Sequence, residues 1–227
     1  MERNQYKLCR EVLRRLDKAG ILRDLIVIGS WCIPFYESYF SGVKYSLSIR
    51  TRDIDFLIPR PSSFRAKIDL EQLLKDLGFI LGFKGEQGVM KLEHPDLIIE
   101  FLVPKSGRGR ERPVPLPELR FNAQALRFLS FLTSDTIAVS IDDVTVTLPH
   151  PVNFALHKLI VFQRRQKGDK AMKDRDTAIR ILKALIDKGE SARIKAVFQS
   201  VPRGWQQKIM TGLDLAEEPK IAKILEY

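Results

Sequence analysis

Cysteine, histidine and long apolar runs are scarce in this chain, and each scarcity removes a class of function. Of 227 residues, only Cys9 and Cys32 are cysteines. Two thiols make no disulfide framework and no zinc-ligand spacing, which fits a reducing compartment. The histidines do not change this. His94 precedes Pro95, His150 stands between two prolines and His157 neighbours Lys158, with no H-E-x-x-H or comparable ligand spacing. No apolar run approaches the roughly 18 residues of a membrane span. Between Met1 and Ala19, charges at Glu2, Arg3, Lys7, Arg10, Glu11, Arg14, Arg15 and Asp17 leave no apolar core for a signal peptide. A cytoplasmic protein with no membrane partner is expected. No Gly-x-Ser-x-Gly elbow supports a hydrolase, and neither an internal repeat nor a low-complexity tract is present.

Apolar residues and basic charge are plentiful. A hydrophobic fraction of 44%, with 13 Phe, is ample for a buried core in one large domain or two small ones. The formal net charge of +10 is compatible with an anionic partner such as nucleic acid, nucleotide or phosphate, and equally with a solvated basic surface.

Periodicity predicts a first half that mixes helices with short strands. Leu8, Val12, Leu16 and Ala19 place a helix over 5–19, ended by Gly20. A strand over 25–28 stops at Gly29-Ser30, and 31–41 reads as a helix that tolerates Pro34 in its first turn. A helix over 68–77 is closed by Gly78, and strands follow over 79–83, 89–92 and 97–103. The basic stretch 105–112, with Lys105, Arg108, Arg110 and Arg112, reads as a loop; it is no P-loop, because no GK[ST] follows. Residues 121–132 suit a helix, and 136–139 with 144–148 a hairpin around Asp142-Asp143. Helices are expected over 153–166, 169–188, 191–200 and 219–226. The fold class that follows is α/β (α+β): a small mixed sheet flanked by helices over 1–148, then a mainly helical domain over 149–227.

The densest signal is Asp53-Ile54-Asp55-Phe56-Leu57-Ile58. Side chains alternate along a strand, so Asp53 and Asp55 share one face while Ile54, Phe56 and Ile58 share the other. Two adjacent carboxylates repel by roughly 4 kcal/mol at 4 Å and an effective dielectric of 20, so a cation between them is expected, with a divalent metal as the leading candidate. Glu100, the lone acid within a second apolar strand, is the candidate third ligand. Taken singly, such acids are more often solvated or paired with arginine.

An apolar strand ending in Gly29-Ser30, then an apolar-flanked Asp-x-Asp, then a third acid at Glu100, resembles the polymerase-β-like nucleotidyltransferase superfamily over about 20–103. The resemblance implies that Asp53, Asp55 and Glu100 hold Mg²⁺, with two ions expected, and that Gly29 and Ser30 approach the phosphates of an NTP. The stretch between Ser30 and Asp53 is longer than the family usually has, so residues 39–50 must be looped out or added to an element. In the helical half, Lys158, Arg165 and Asp174 are similar to a motif of the AbiEii/AbiGii-type bacterial proteins of abortive infection. There the resemblance gives Lys158 and Arg165 to the nucleotide and makes Asp174 catalytic; Asp176 stands two residues on, where that motif spaces its acids by three. A purely structural ion pair is the competing reading.

The expected activity is transfer of a nucleoside monophosphate to a hydroxyl, with the basic balance pointing to RNA or tRNA as acceptor. Transfer to a small molecule or protein, and a catalytically silent binding module, stay open. The toxin-like resemblance leaves an antitoxin partner open too.

Overall fold

The computed structural model describes residues 3–45, 51–61, 64, 67–105, 107, 112–165 and 168–226. The chain divides into two compact units, Met1–Phe35 with Ser48–Pro149, and Tyr36–Leu47 with His150–Tyr227.

In the first unit, helix α1 (Arg3–Lys18) buries Cys9, Val12, Leu13 and Leu16 on one stripe and ends at Gly20 in the left-handed region. Strand β1 (Ile26–Ile28), helix α2 (Cys32–Phe35), strand β2 (Asp53–Leu57), helix α3 (Leu70–Leu74) and strands β3 (Ile80–Lys84), β4 (Val89–Glu93) and β5 (Ile98–Pro104) follow. Then come β6 (Pro113–Leu116), β7 (Phe121–Leu126), helix α4 (Ser130–Thr133), and a hairpin of β8 (Thr136–Ile141) with β9 (Val144–Pro149).

The main sheet is mixed. Its order is β1-β2-β5-β4-β3, with β7 paired parallel to the end of β5 and β6 antiparallel to β7. β2 and β5 run parallel, while β1, β4 and β3 join antiparallel. On one face Val27, Ile54, Phe56, Ile99 and Phe101 are fully or almost fully buried, with the Phe56 and Phe101 rings 5.6 Å apart. The other face is divided. Ile26, Ile28, Leu57 and Leu102 are covered by Leu129 and Leu132, and the stretch beyond them carries the acids. Gln5 fastens the strand starts on the acidic side, donating to the carbonyls of Thr51 and Asp96.

The second unit holds α5 (Pro151–Val161), α6 (Asp169–Asp187), α7 (Ser191–Ser200), α8 (Arg203–Leu215) and α9 (Pro219–Glu226). It also takes in 36–47, which the sequence reading placed with the sheet domain. Tyr36 and Phe40 are buried, and Tyr36 meets Phe154 edge-on at 5.6 Å. Much of the extra length between Ser30 and the acidic strand is thus built into the helical unit; 46–50 lie outside the described residues.

Four elements differ from the sequence reading. The helix over 31–41 stops at Phe35, and the chain continues in turns, because burial of Tyr36 and Phe40 overrides weak helical propensity. Residues 121–126 form a strand, with Phe121, Ala123 and Ala125 buried alternately, and the helix shrinks to Ser130–Thr133. The proline-rich 113–116 pairs with β7 as a strand that has β7 as its only described partner, where proline costs no ladder bond. Helix α8 fills a stretch between the helices expected over 191–200 and 219–226.

Candidate functional site

β1 pairs with β2 so that Ile28 stands opposite Asp55. The next residue, Gly29, has φ +72° and opens a single 3₁₀ turn over Gly29–Trp31 that leads into α2. A β-carbon at Gly29 would collide with the Asp55 carboxylate, so only glycine supplies both the left-handed backbone and the space. Ser30 follows within the same turn. The sheet thereby brings together Gly29, Ser30 and Asp55 from stretches more than twenty residues apart in sequence. Asp53 lies two residues back on the same face of β2, and Asp53 and Asp55 are both half-buried.

Parallel pairing sets Asp55 opposite Glu100 on β5, which puts all three acids on one face. Glu100 is engaged from the far side. Lys84 Nζ donates to both of its oxygens at 2.9 and 3.1 Å, and the Glu100 side chain is 14% exposed. Next to it, Lys91 pairs with Glu93 at 2.5 Å. Among the described residues no three His, Cys, Asp or Glu side chains are grouped to hold a metal ion. The three-carboxylate site anticipated from the sequence is therefore arranged as an Asp53/Asp55 pair beside a Glu100 that already has a cationic partner. Two carboxylates match what Mg²⁺ takes from protein when substrate phosphates and water complete its octahedron. Lys84 was missed in the sequence because cross-sheet pairing leaves no local signal.

A second cluster sits within the helical unit. Lys158 on α5 and Asp174 on α6 approach to 2.5 Å, with side chains only 8% and 9% exposed, and Arg165 Nε reaches the other Asp174 oxygen at 2.5 Å. Lys158 Nζ also lies 5.0 Å from the centre of the Phe154 ring. Burial pushes the Asp174 carboxyl up, but the charges and hydrogen bonds of Lys158 and Arg165 outweigh it and hold the group below its ordinary value. The adjacent His157 is pushed down to about 3 by burial, reinforced by the Lys158 charge, and is neutral at ordinary pH. Arg165, 43% exposed, is the member of the cluster with its side chain open to solvent. Asp176 pairs with Arg175 at 3.1 Å and takes no part.

His150, unremarkable in sequence, is 1% exposed and caps α5: its Nδ1 accepts from the Val152 N–H at 3.2 Å. That assigns the proton to Nε2, which donates to Tyr39 Oη at 2.9 Å, and the Tyr39 hydroxyl in turn donates to Glu190 at 2.7 Å. This chain of bonds fastens 36–47 within its unit. Of the basic loop 105–112, only Lys105, Gly107 and Arg112 are described.

A family profile described as Nucleotidyltransferase matches residues 7–201. The chain belongs to the nucleotidyltransferase family. Two solved structures are similar to this nucleotidyltransferase. The crystal structure of ANT(2")-Ia in complex with adenylyl-2"-tobramycin aligns over 86% of this chain and 97% of its own, at 14% identity and a TM-score of 0.50, and shares its fold. An antigenic nucleotidyltransferase-like protein from Paracoccidioides brasiliensis aligns over 96% of this chain and 92% of its own, at 16% identity and a TM-score of 0.49. No curated protein matches the sequence. Among the described residues, no helix of the nucleotidyltransferase is long and apolar enough to cross a membrane.

Proposed function

We propose that Asp53 and Asp55, beside Gly29 and Ser30, are the catalytic carboxylates of a Mg²⁺-dependent transfer of a nucleoside monophosphate from an NTP to an acceptor hydroxyl, and that the acceptor is RNA, tRNA included. The observation that carries the reading is the seat of Gly29 against the Asp55 carboxylate. It packs bare glycine backbone directly against one of the two paired acids. When bound, Mg²⁺ would supply charge neutralisation on the triphosphate and on the leaving pyrophosphate, held by Asp53 and Asp55. The attacking oxygen bonds to the α-phosphorus, the bond to the β-phosphate oxygen breaks, and the hydroxyl proton passes to solvent or to a carboxylate.

Glu100 is the third acid of this reading. The Lys84 ammonium on its two oxygens marks a place where positive charge is already satisfied by this carboxylate. The nucleotide-binding roles for Lys158 and Arg165 and the catalytic role for Asp174, with the AbiEii-like affinity they imply, belong to the same proposal. The RNA acceptor rests on the net charge of +10.

The test is incubation with Mg²⁺, each labelled NTP, total cellular RNA and, separately, a panel of small hydroxyl compounds. Label entering RNA, and lost in Asp53→Asn and Asp55→Asn, supports the proposal. Label entering only small compounds replaces RNA as the acceptor. Nucleotide binding with no transfer to anything sinks the catalytic reading.

A further inference from the structure

Strand β3 ends the sheet: β4 pairs with one side of it, and among the described residues no strand pairs with the other. An open edge presents backbone donors and acceptors that template another strand, and proteins usually blunt it with charge, proline or a bulge. β3 is not blunted in these ways. Its register with β4 runs unbroken from Ile80 to Lys84, and its only charge is Lys84 at the end. Ile80 and Phe83 are 64% and 63% exposed, the two most exposed large apolar side chains among the described residues.

Local charge disfavours a polyanion here. Lys84 is paired with Glu100 and Lys91 with Glu93, so this strip holds its cations neutralised within a chain of net charge +10. The five residues are also self-complementary. Set antiparallel to a second copy about Gly82, Leu81 faces Phe83 of that copy, Ile80 faces Lys84, and Gly82 faces its own counterpart. Leu81 and Phe83 share one sheet face, so the seam gains a Leu–Phe pair twice, related by the two-fold axis. On the opposite face the Lys84 methylenes cover Ile80 while the ammonium stays with Glu100.

We propose that β3 is a homodimerisation edge, at which two copies pair antiparallel about Gly82 to continue one sheet across the two-fold. This goes beyond nucleotidyl transfer and does not rest on it.

Sedimentation equilibrium over a concentration series at two ionic strengths tests it. The weight-average mass rises toward twice that of the chain, and the midpoint falls to lower concentration at higher salt, because screening relieves repulsion between two +10 chains. Phe83→Lys and Ile80→Lys, both at exposed positions, each raise the dissociation constant by about tenfold or more and leave the thermal midpoint in place when it is measured at concentrations where the parent chain is monomeric. An equimolar mixture of Leu81→Cys and Phe83→Cys chains cross-links faster than either alone; the native Cys9 and Cys32 are buried and do not compete. A monomer at every soluble concentration overturns the proposal. So does a dimer that Phe83→Lys leaves intact, or one that joins position 81 to position 81.

Discussion

Lys84 holds both oxygens of Glu100, so the acid that sequence order assigns to a metal is found with an ammonium ion. Lys84 is half-exposed and Glu100 mostly buried, and such a pair contributes about 0.2–1 kcal/mol. If a bound cation shares Glu100, it competes with Lys84. Lys84→Met should then lower the Mg²⁺ concentration for half-maximal transfer by up to about fivefold, with little change in melting temperature. An unchanged Mg²⁺ midpoint would remove Glu100 from the metal site and leave the pair as a strand clamp.

Gly29→Ala tests the seat beneath Asp55. The left-handed backbone costs a β-carbon about 1–2 kcal/mol, and the clash with the Asp55 carboxylate must be relieved by moving that side chain. Activity should fall by about two orders of magnitude, since misplacing a catalytic group by an ångström costs that much. Stability should fall only by the backbone cost. Full activity in this variant would show that the carboxylate position at Asp55 does not matter.

For the buried cluster the two single variants should differ. Asp174→Asn leaves Lys158 charged and buried, at a cost of about 3–5 kcal/mol. Lys158→Met costs less, because Arg165 still covers Asp174. The double variant Lys158→Met/Asp174→Leu should recover most of the loss in urea unfolding. If that refolded double variant also keeps full transfer activity, the cluster is architectural only.

Acid should weaken the helical unit in two stages. His157 binds a proton near pH 6.5 when unfolded but only near 3 when folded, so the unfolded state holds more protons between these values and stability falls as pH drops through that window. The slope is about 1.4 kcal/mol per pH unit. Asp174 works in the same direction at lower pH. Its folded value is depressed, so its contribution is present above the unfolded value of about 3.9 and is lost as pH falls through the folded one. His157→Asn should flatten the first stage in pH-dependent unfolding while leaving the second; an unaltered slope would contradict the burial argument.

Tyr39→Phe should cost about 1–2 kcal/mol, since it takes the Tyr39 acceptor from His150 Nε2–H and a donor from Glu190 within a partly buried chain of bonds. A melting curve matching that of the parent protein would mean that water replaces the hydroxyl without loss.

What could be read from the sequence was whatever local patterning fixes. Asp53 and Asp55 alternate with Ile54 and Phe56, and that pattern sets both a strand and the face its acids occupy. The Gly29 turn and the Asp142-Asp143 hairpin, with Asp142 at φ +52°, were legible for similar reasons. Residues 121–132 misled because Leu126, Leu129 and Leu132 recur at helical spacing, whereas the pairing of 121–124 with β6 and of 124–126 with β5 imposes a period of two. Helix α8 carries two glycines, Gly204 and Gly212, which lower its intrinsic helical propensity. A β-carbon at Gly212 would stand 2.7 Å from the Leu159 carbonyl oxygen, so this glycine permits close helix packing. Lys84 and Tyr39 were invisible because their partners come from pairings that sequence distance conceals.

The capture of 36–47 by the helical unit bears on how this gene can be divided. The chain passes from one unit to the other three times, near 35, 47 and 149. A fission at the last crossing would yield an N-terminal product burdened with the orphaned Tyr36 and Phe40, and a C-terminal product lacking the hydroxyl that His150 and Glu190 share. Recombination that exchanges the helical unit between relatives must therefore carry an internal segment as well as the C-terminal one, which ties the two units to a shared line of descent.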